Sequence, residues 1–434
     1  MKRVLTRLKE QIVASGFLEN LGKMMSGTGF AHLLGVAVIP VLTRIYTPSE
    51  IGVYATFLSL MMICYCVASL RYEFGILIPT NDREANNLSI LAIGLSLTFG
   101  FILFMVVALF SDPIKKLLNI QELGWLLYLL PIGAVSYNLF MIFTFILNRE
   151  KKYGGIAAGK ITSSSIMAAS QISLGFFQFQ QAGLVIGKVV SDVFGTVFLV
   201  WQRFKIQSSL RTGVSFHRMM VVAKKYRNFP LYNTPHALTS SISQNFPVLL
   251  FNAFFSGSIA GFYAMAHRVL LSPVRVISQA AYQVFGQKVS EKFGNQELLL
   301  PFLKSTVLLF AVIAFIPFLI LFFFSPSLFG WFLGSEWEVT GHYIQILSPY
   351  IYLVFIVTPI NYIPLLFGRQ KKAFIIDVIY LSMRLIVLGL GILMQNEWIA
   401  LVLYSLVGFL VNSYLLIWIY FLTVEVEKGR NNTK

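Results

Sequence analysis

Blocks of about twenty apolar residues follow one another, separated by short polar segments, from residue 23 to residue 421. A helix rises about 1.5 Å per residue, so one such block matches the about 30 Å of hydrocarbon in a bilayer. With 57% hydrophobic and 12% charged residues in 434, the chain holds more apolar surface than a soluble domain can bury. The sequence therefore predicts an all-α polytopic membrane protein. Its spans are expected near 23–43, 51–70, 86–110, 124–147, 156–178 and 182–201, then near 233–255, 259–284, 303–324, 340–363, 373–394 and 398–421. These twelve divide into an N-terminal six-helix lobe (1–201), a cytoplasmic basic linker (202–232) and a C-terminal six-helix lobe with a short tail (233–434). An even count puts both termini on one side.

Orientation follows from the basic residues. With the N-terminus in the cytoplasm, twenty-six lysines and arginines fall in inner segments and three, Arg44, Lys115 and Lys116, in outer loops. The positive-inside rule supports that arrangement, and it makes the net charge of +16 mainly a topology signal. Nucleic acid is not an expected partner, because the bases are scattered over short loops and form no aromatic-laced groove. Residues before the first apolar run show no small-residue cleavage pattern, so the first span is expected to act as its own insertion signal. Cys64 and Cys66 lie two apart in one apolar block, where their side chains diverge, and are read as small apolar residues.

Five bases remain inside spans: Lys160, Lys188, Arg268, Arg275 and Arg384, against two acids, Asp192 and Asp377. A charge at the centre of a span costs about 2.5 to 3.5 kcal/mol on insertion scales, so such residues face protein or a wet cavity. An excess of bases there points to an anionic cargo. Spacing sorts the five. Lys188 and Asp192 are four apart and are expected to pair; Lys160 lies near the cytoplasmic end of its span and can snorkel. Arg268 and Arg275, seven apart, share a helix face, and Arg384 lies mid-span. Arg268, Arg384, Arg275 and Lys188 are thus the candidate cargo-binding cations. Asp192 and Asp377 are candidate ion-coupling groups.

The linker carries Phe216, Met219, Met220, Ala223 and Tyr226 at helical spacing among His217, Arg218, Lys224 and Lys225. That pattern reads as a basic amphipathic helix on the anionic inner leaflet. Leu5, Leu8 and Ile12 suggest a weaker version near the N-terminus. The halves also echo one another: Gly52-Val53-Tyr54-Ala55 matches Gly261-Phe262-Tyr263-Ala264, and Phe74-Gly75 matches Phe285-Gly286, at offsets of 209 and 211 residues. A six-span duplication gives parallel repeats about an axis along the membrane normal.

The run Arg71-Tyr72-Glu73-Phe74-Gly75-Ile76-Leu77-Ile78-Pro79 and the following Asp82-Arg83-Glu84-Ala85-Asn86-Asn87-Leu88 resemble the stretch after the second span of Wzx-type polysaccharide-biosynthesis flippases. Ser26-Gly27-Thr28-Gly29, Pro40 to Pro48 and Gly52-Val53-Tyr54 are similar to that family's opening. Arg71, Tyr72 and Glu73 carry the motif. The resemblance implies the multidrug/oligosaccharidyl-lipid/polysaccharide exporter fold, with two six-helix lobes alternating access around a cationic central cavity. It also implies a cargo of undecaprenyl-pyrophosphate-linked oligosaccharide moved from the cytoplasmic to the periplasmic leaflet of the bacterial inner membrane, with polymerase and chain-length proteins of the same pathway as partners.

The residue chemistry fits such a cargo, because a pyrophosphate crossing hydrocarbon needs cations in place of its water. His236, Ser240, Ser243, Gln244 and Asn245 form a polar stripe in the seventh span, expected to line a cavity. The fifth span adds Thr162 to Ser165, Ser170, Gln171 and Ser173, suited to binding sugar hydroxyls or to joining helices. No metal-spaced cluster, phosphate-binding glycine loop or nucleotide-binding domain is evident, so no metal or cofactor is expected. An enzyme of the polysaccharide-polymerase type is the alternative in a different class, disfavoured by short outer loops. A multidrug or metabolite antiporter of the same fold is the nearer alternative.

Overall fold

The computed structural model describes residues 34–206 and 214–431. The Leu5, Leu8 and Ile12 series and the Ser26–Gly29 motif lie outside them. The described chain is helical throughout, in the order α1 (Ile39–Ile45), α2 (Pro48–Ala68), α3 (Asp82–Leu118), α4 (Leu130–Arg149), α5 (Tyr153–Phe176), α6 (Gln180–Ile206), α7 (Phe216–Lys225), α8 (Thr234–Phe254), α9 (Gly257–Gly294), α10 (Leu300–Leu333), α11 (Glu338–Ile360), α12 (Ile363–Leu366), α13 (Gln370–Leu393) and α14 (Glu397–Asn431).

Local chemistry sets several of these boundaries. A capping box starts α2: Thr47 N–H donates to Glu50 Oε2 at 2.8 Å, Glu50 N–H donates to Thr47 Oγ1 at 3.3 Å, and Pro48 holds the first helical position. Both ends of the N-terminus are thereby satisfied. Asn81 caps α3 through Arg83 N–H. That helix has 37 residues, roughly 55 Å of rise, more than a bilayer needs. Phe110 leaves helical geometry three residues before Pro113, as expected where a proline ring meets the preceding turn. The span expected at 86–110 stops at that kink.

Eight described helical stretches are long and apolar enough to cross a membrane, against twelve expected spans. α1 is what the described residues retain of the first span. The other three expected spans correspond to α5, α8 and α9, of 24, 21 and 38 residues. They are long enough to cross and fall short in apolarity. These are the helices that carry the serine-rich run, the polar stripe and the Arg268 and Arg275 pair. Their lower hydropathy marks faces that lipid would not solvate.

Contacts divide the chain into two compact units, with the boundary between Ala260 and Gly261, in the first turn of α9. In the first unit α5 packs on α6, α6 on α4, and α8 on α2, so a helix from beyond the linker belongs with the first six spans. In the second unit α10 packs on α11, and α14 packs on both α11 and α13. Gly341 permits the α10 and α11 approach, because a Cβ there would collide with the Pro326 backbone. The echoed motifs take matching positions: Tyr54 and Tyr263 each lie in the second turn of a helix, and both are buried.

The linker forms the expected helix, α7, with Ser215 capping it through Arg218 N–H. Its apolar residues divide. Val222 is buried, with Ala223 and Tyr226 packed beside it against Tyr72, Leu88 and Ile146. Phe216 and Met220 point away, 76% and 57% exposed. Tyr72 Oη donates to Ala223 O at 2.9 Å and Lys225 pairs with Glu84. The helix therefore docks on the first unit by one face and offers Phe216 and Met220 outward.

Candidate functional site

Arg384 lies in the interior of α13 and is 6% exposed. Its Nη2 donates to Tyr350 Oη at 2.6 Å and also to Tyr380 Oη. The guanidinium carbon stands 3.9 Å from the centre of the Tyr380 ring, 4.6 Å from Tyr404 and 5.4 Å from Tyr350. Tyr380 is four residues before Arg384 on the same helix, so its ring lies along the arginine stem. Tyr350 comes from α11 and Tyr404 from α14. Gly408, one turn after Tyr404, leaves the room that Tyr350 fills, since a Cβ there would collide with its ring. Phenol faces and hydroxyl oxygens both attract a guanidinium, so the tyrosines solvate the cation without cancelling its charge.

The cluster extends to α9. Tyr404 meets Tyr263 edge-on at 6.1 Å, and Tyr263 stacks on His267 at 5.7 Å. Arg275 is exposed two helical turns after His267 on the same helix. Arg268 is half-buried on the same helix. Arg384 and the Tyr263–His267 stack of α9 thus meet on the ring of Tyr404. Sequence reasoning found the arginines and missed the tyrosines. The four-residue spacing of Tyr380 and Arg384 was a legible signal; the arrival of Tyr350 and Tyr404 from other helices was not. Asp377 is exposed near the start of α13.

In the first unit Lys188 and Arg203 have carboxylate partners. Lys188 Nζ donates to Asp192 Oδ1 at 2.6 Å, with side-chain exposures of 13% and 4%. The pair expected from their spacing is formed, and Lys188 also lies over the Tyr137 ring at 5.0 Å. Arg203 Nε stands 2.7 Å from Glu150 Oε1. Arg149 reaches Asp82 Oδ1 at 2.8 Å and caps the carbonyl of Ile76 at 3.3 Å, fixing the turn between α2 and α3.

That turn carries the Arg71-Tyr72-Glu73 motif. Glu73 is fully buried; Ser69 Oγ donates to it, and Asn138 Nδ2 donates to Ser69 Oγ at 3.1 Å. Arg71 Nη1 stands 3.7 Å from Glu73 Oε1 and donates to Tyr65 Oη at 3.2 Å. Arg71 adopts the left-handed conformation, φ 62, which aims its side chain back over Tyr65. Glu73 lies between spans, and burial pushes its carboxyl above the usual carboxylate range, with Ser69 and Arg71 opposing. Burial likewise raises Glu150, against Arg203.

The polar stripe of α8 is resolved into faces. His236, Ser240 and Gln244 are exposed and Ser243 and Asn245 half-buried. Gln244 Nε2 donates to Ser240 Oγ at 3.1 Å, and Asn245 Nδ2 to Ser241 O at 2.8 Å. In α5, Gln171 joins helices: it is buried, donates to Tyr54 Oη and Leu184 O, and its carbonyl accepts from Tyr46 Oη at 2.7 Å.

This geometry can be set beside known proteins. The fold is that of solved transporters: the lipid II flippase MurJ in an inward closed conformation superposes with a TM-score of 0.70 at 16% identity, covering 95% of this chain and 92% of that one. An inward-facing multidrug resistance MATE family transporter of the MOP superfamily gives 0.64 at 14% identity, covering 94% of both chains. Fold and buried charges together define a multi-pass, all-α membrane protein of the MATE-like type. The profile of the polysaccharide biosynthesis protein family matches residues 41–341, and the chain belongs to that family. The succinoglycan biosynthesis transport protein ExoT of Rhizobium meliloti (strain 1021) is 23% identical over 312 residues, 68% of this chain. The match spans 59% of the length of ExoT.

Proposed function

We propose that the protein is a flippase that carries undecaprenyl-pyrophosphate-linked oligosaccharide from the cytoplasmic to the periplasmic leaflet of the bacterial inner membrane. The observation that carries this reading is the guanidinium of Arg384, buried among Tyr350, Tyr380 and Tyr404. Phenol rings and hydroxyls lower the cost of burying a guanidinium, whose planar donors suit the oxygens of a phosphate. Family membership and the likeness to MurJ and ExoT support a lipid-linked saccharide as the cargo.

In this reading both termini are cytoplasmic and six spans lie on either side of the 202–232 linker. Arg268, Arg275 and Arg384 receive the pyrophosphate as access alternates. The exposed His236, Ser240 and Gln244 face offers hydrogen bonds to sugar, and the polyprenyl tail stays in lipid. Lys188, held by Asp192, serves the cargo less directly. The cycle is drawn forward by periplasmic consumption of the product or by ion antiport through Asp192 or Asp377. Polymerase and chain-length proteins of the pathway are the natural consumers.

A deletion strain tests the function. Lipid-linked oligosaccharide is expected to accumulate and surface glycan to disappear; intact surface glycan with no accumulated intermediate would refute the flippase reading. Reconstituted vesicles test the coupling, because flipping that persists after both proton and sodium gradients are collapsed excludes antiport.

A further inference from the structure

A groove of 390 Å³ runs along the second unit between α10 and α14, with Ile360 of α11 in its floor. Leu303 and Ile360 are buried at its base, whereas Leu308, Ile417 and Phe421 are 65%, 54% and 62% exposed at its rim. One charged side chain enters the lining: Lys304, whose Nζ lies 5.5 Å from the centre of the Tyr420 ring. The groove is otherwise apolar, and few residues in the apolar stretch of α10 are fully buried.

Depth follows from the neighbours. Lys372 stacks over Trp418 at 5.0 Å, two residues from Tyr420 on the same helix, and Arg369 lies 3.7 Å from Glu425 one turn further on. Lysines supported by aromatic rings, beside an ion pair, are the composition of the headgroup level. The distribution of basic residues puts this end of α14 on the cytoplasmic side. From Leu303 to Ala311, the length of the α10 lining, the groove spans eight residues of rise, about 12 Å. That keeps it within one leaflet of a hydrocarbon core about 30 Å thick.

We propose that this groove is a binding site for an anionic phospholipid of the cytoplasmic leaflet, one acyl chain lying between α10 and α14 and the headgroup phosphate on Lys304. Basic residues at the cytoplasmic mouth of an interhelical groove attract anionic headgroups in this way. The short reach of the groove favours a phospholipid chain, which ends within its leaflet, over a long polyisoprenoid. The site is separate from the Arg384 cluster and does not depend on the cargo assigned above.

Native mass spectrometry of the purified full-length protein tests it with three probes: phosphatidylglycerol, phosphatidylethanolamine of the same chains, and undecaprenyl phosphate. Phosphatidylglycerol is expected to be retained at least fivefold over phosphatidylethanolamine. Lys304→Gln should erase that preference, and Ala311→Phe, which fills the groove, should lower retention of both phospholipids. Ile417→Trp, a rim change at an exposed position, gives the same readout should Ala311→Phe fail to fold. Equal retention of the two phospholipids by the native protein, or a preference untouched by Lys304→Gln, overturns the proposal. So does retention of undecaprenyl phosphate above phosphatidylglycerol.

Discussion

The two units shelter their buried bases in different ways. The first sets a carboxylate beside each of Lys188, Arg203 and Arg71, at 2.6, 2.7 and 3.7 Å respectively. The second surrounds Arg384 with Tyr350, Tyr380 and Tyr404. A carboxylate neutralises a cation and makes the pair a structural strut. Phenols lower the desolvation cost while leaving the field of the cation in place. The first arrangement suits a frame, and the second is the one proposed above to receive an anion.

That contrast can be broken experimentally. The largest effect is expected for Arg384→Ala, which should abolish surface glycan with protein level maintained; Arg268→Ala should do the same if its half-buried side chain also meets cargo. Wild-type export from both, measured by glycan staining against membrane protein abundance, would dissolve the distinction. Arg384→Lys is a sharper version. An ammonium lacks the planar face that the guanidinium lays on the Tyr380 ring and offers fewer donors to an oxyanion, so export should fall about tenfold, in keeping with a loss of about 1.4 kcal/mol.

The next effect belongs to the frame. Asp192→Asn leaves Lys188 buried without its carboxylate and should destabilise the protein by about 3 kcal/mol, whereas the double change Lys188→Met with Asp192→Leu should restore most of that loss. Thermal unfolding in detergent separates the two; a double variant as weak as the single one would show that the pair does more than neutralise itself.

Glu73 gives a smaller, pH-dependent effect. Its folded carboxyl is raised by burial, so the folded state holds a proton to higher pH than the unfolded chain. Stability then declines as pH rises from the ordinary carboxylate range through the raised value, and levels off above it. Glu73→Gln, which keeps the acceptor for Ser69 and cannot ionise, should flatten that decline; a melting profile with the same slope as the native protein would contradict it. At the bottom of the scale, Lys225→Gln removes the solvent-exposed pair with Glu84 and should leave melting and export unchanged.

Part of this was legible before any coordinates. The Lys188 and Asp192 pair, the linker helix and the apolar spans all rest on local periodicity, which a helix turns into geometry almost without help from elsewhere. The polar character of α5, α8 and α9 was also visible, as was the placement of Arg268 and Arg275 on one helix. The orientation of α7 was not, because both Val222 and Met220 are apolar and only Tyr72, Leu88 and Ile146 on other helices decide which is covered. Nor was the partner of Glu73, since Asn138 stands 65 residues away in sequence and reaches it through Ser69.

By itself the sequence determined that this chain crosses a membrane many times as helices, which way its charges bias it, and which few cations must be sheltered. Hydrocarbon enforces those answers residue by residue, because each span must satisfy its own backbone and each buried charge carries its own desolvation cost. Only the tertiary structure decided what shelters Arg384. Lys188 meets its acid one turn along its own helix, whereas two of the rings around Arg384 arrive from α11 and α14, and the approach of distant helices is fixed by packing that no local pattern encodes.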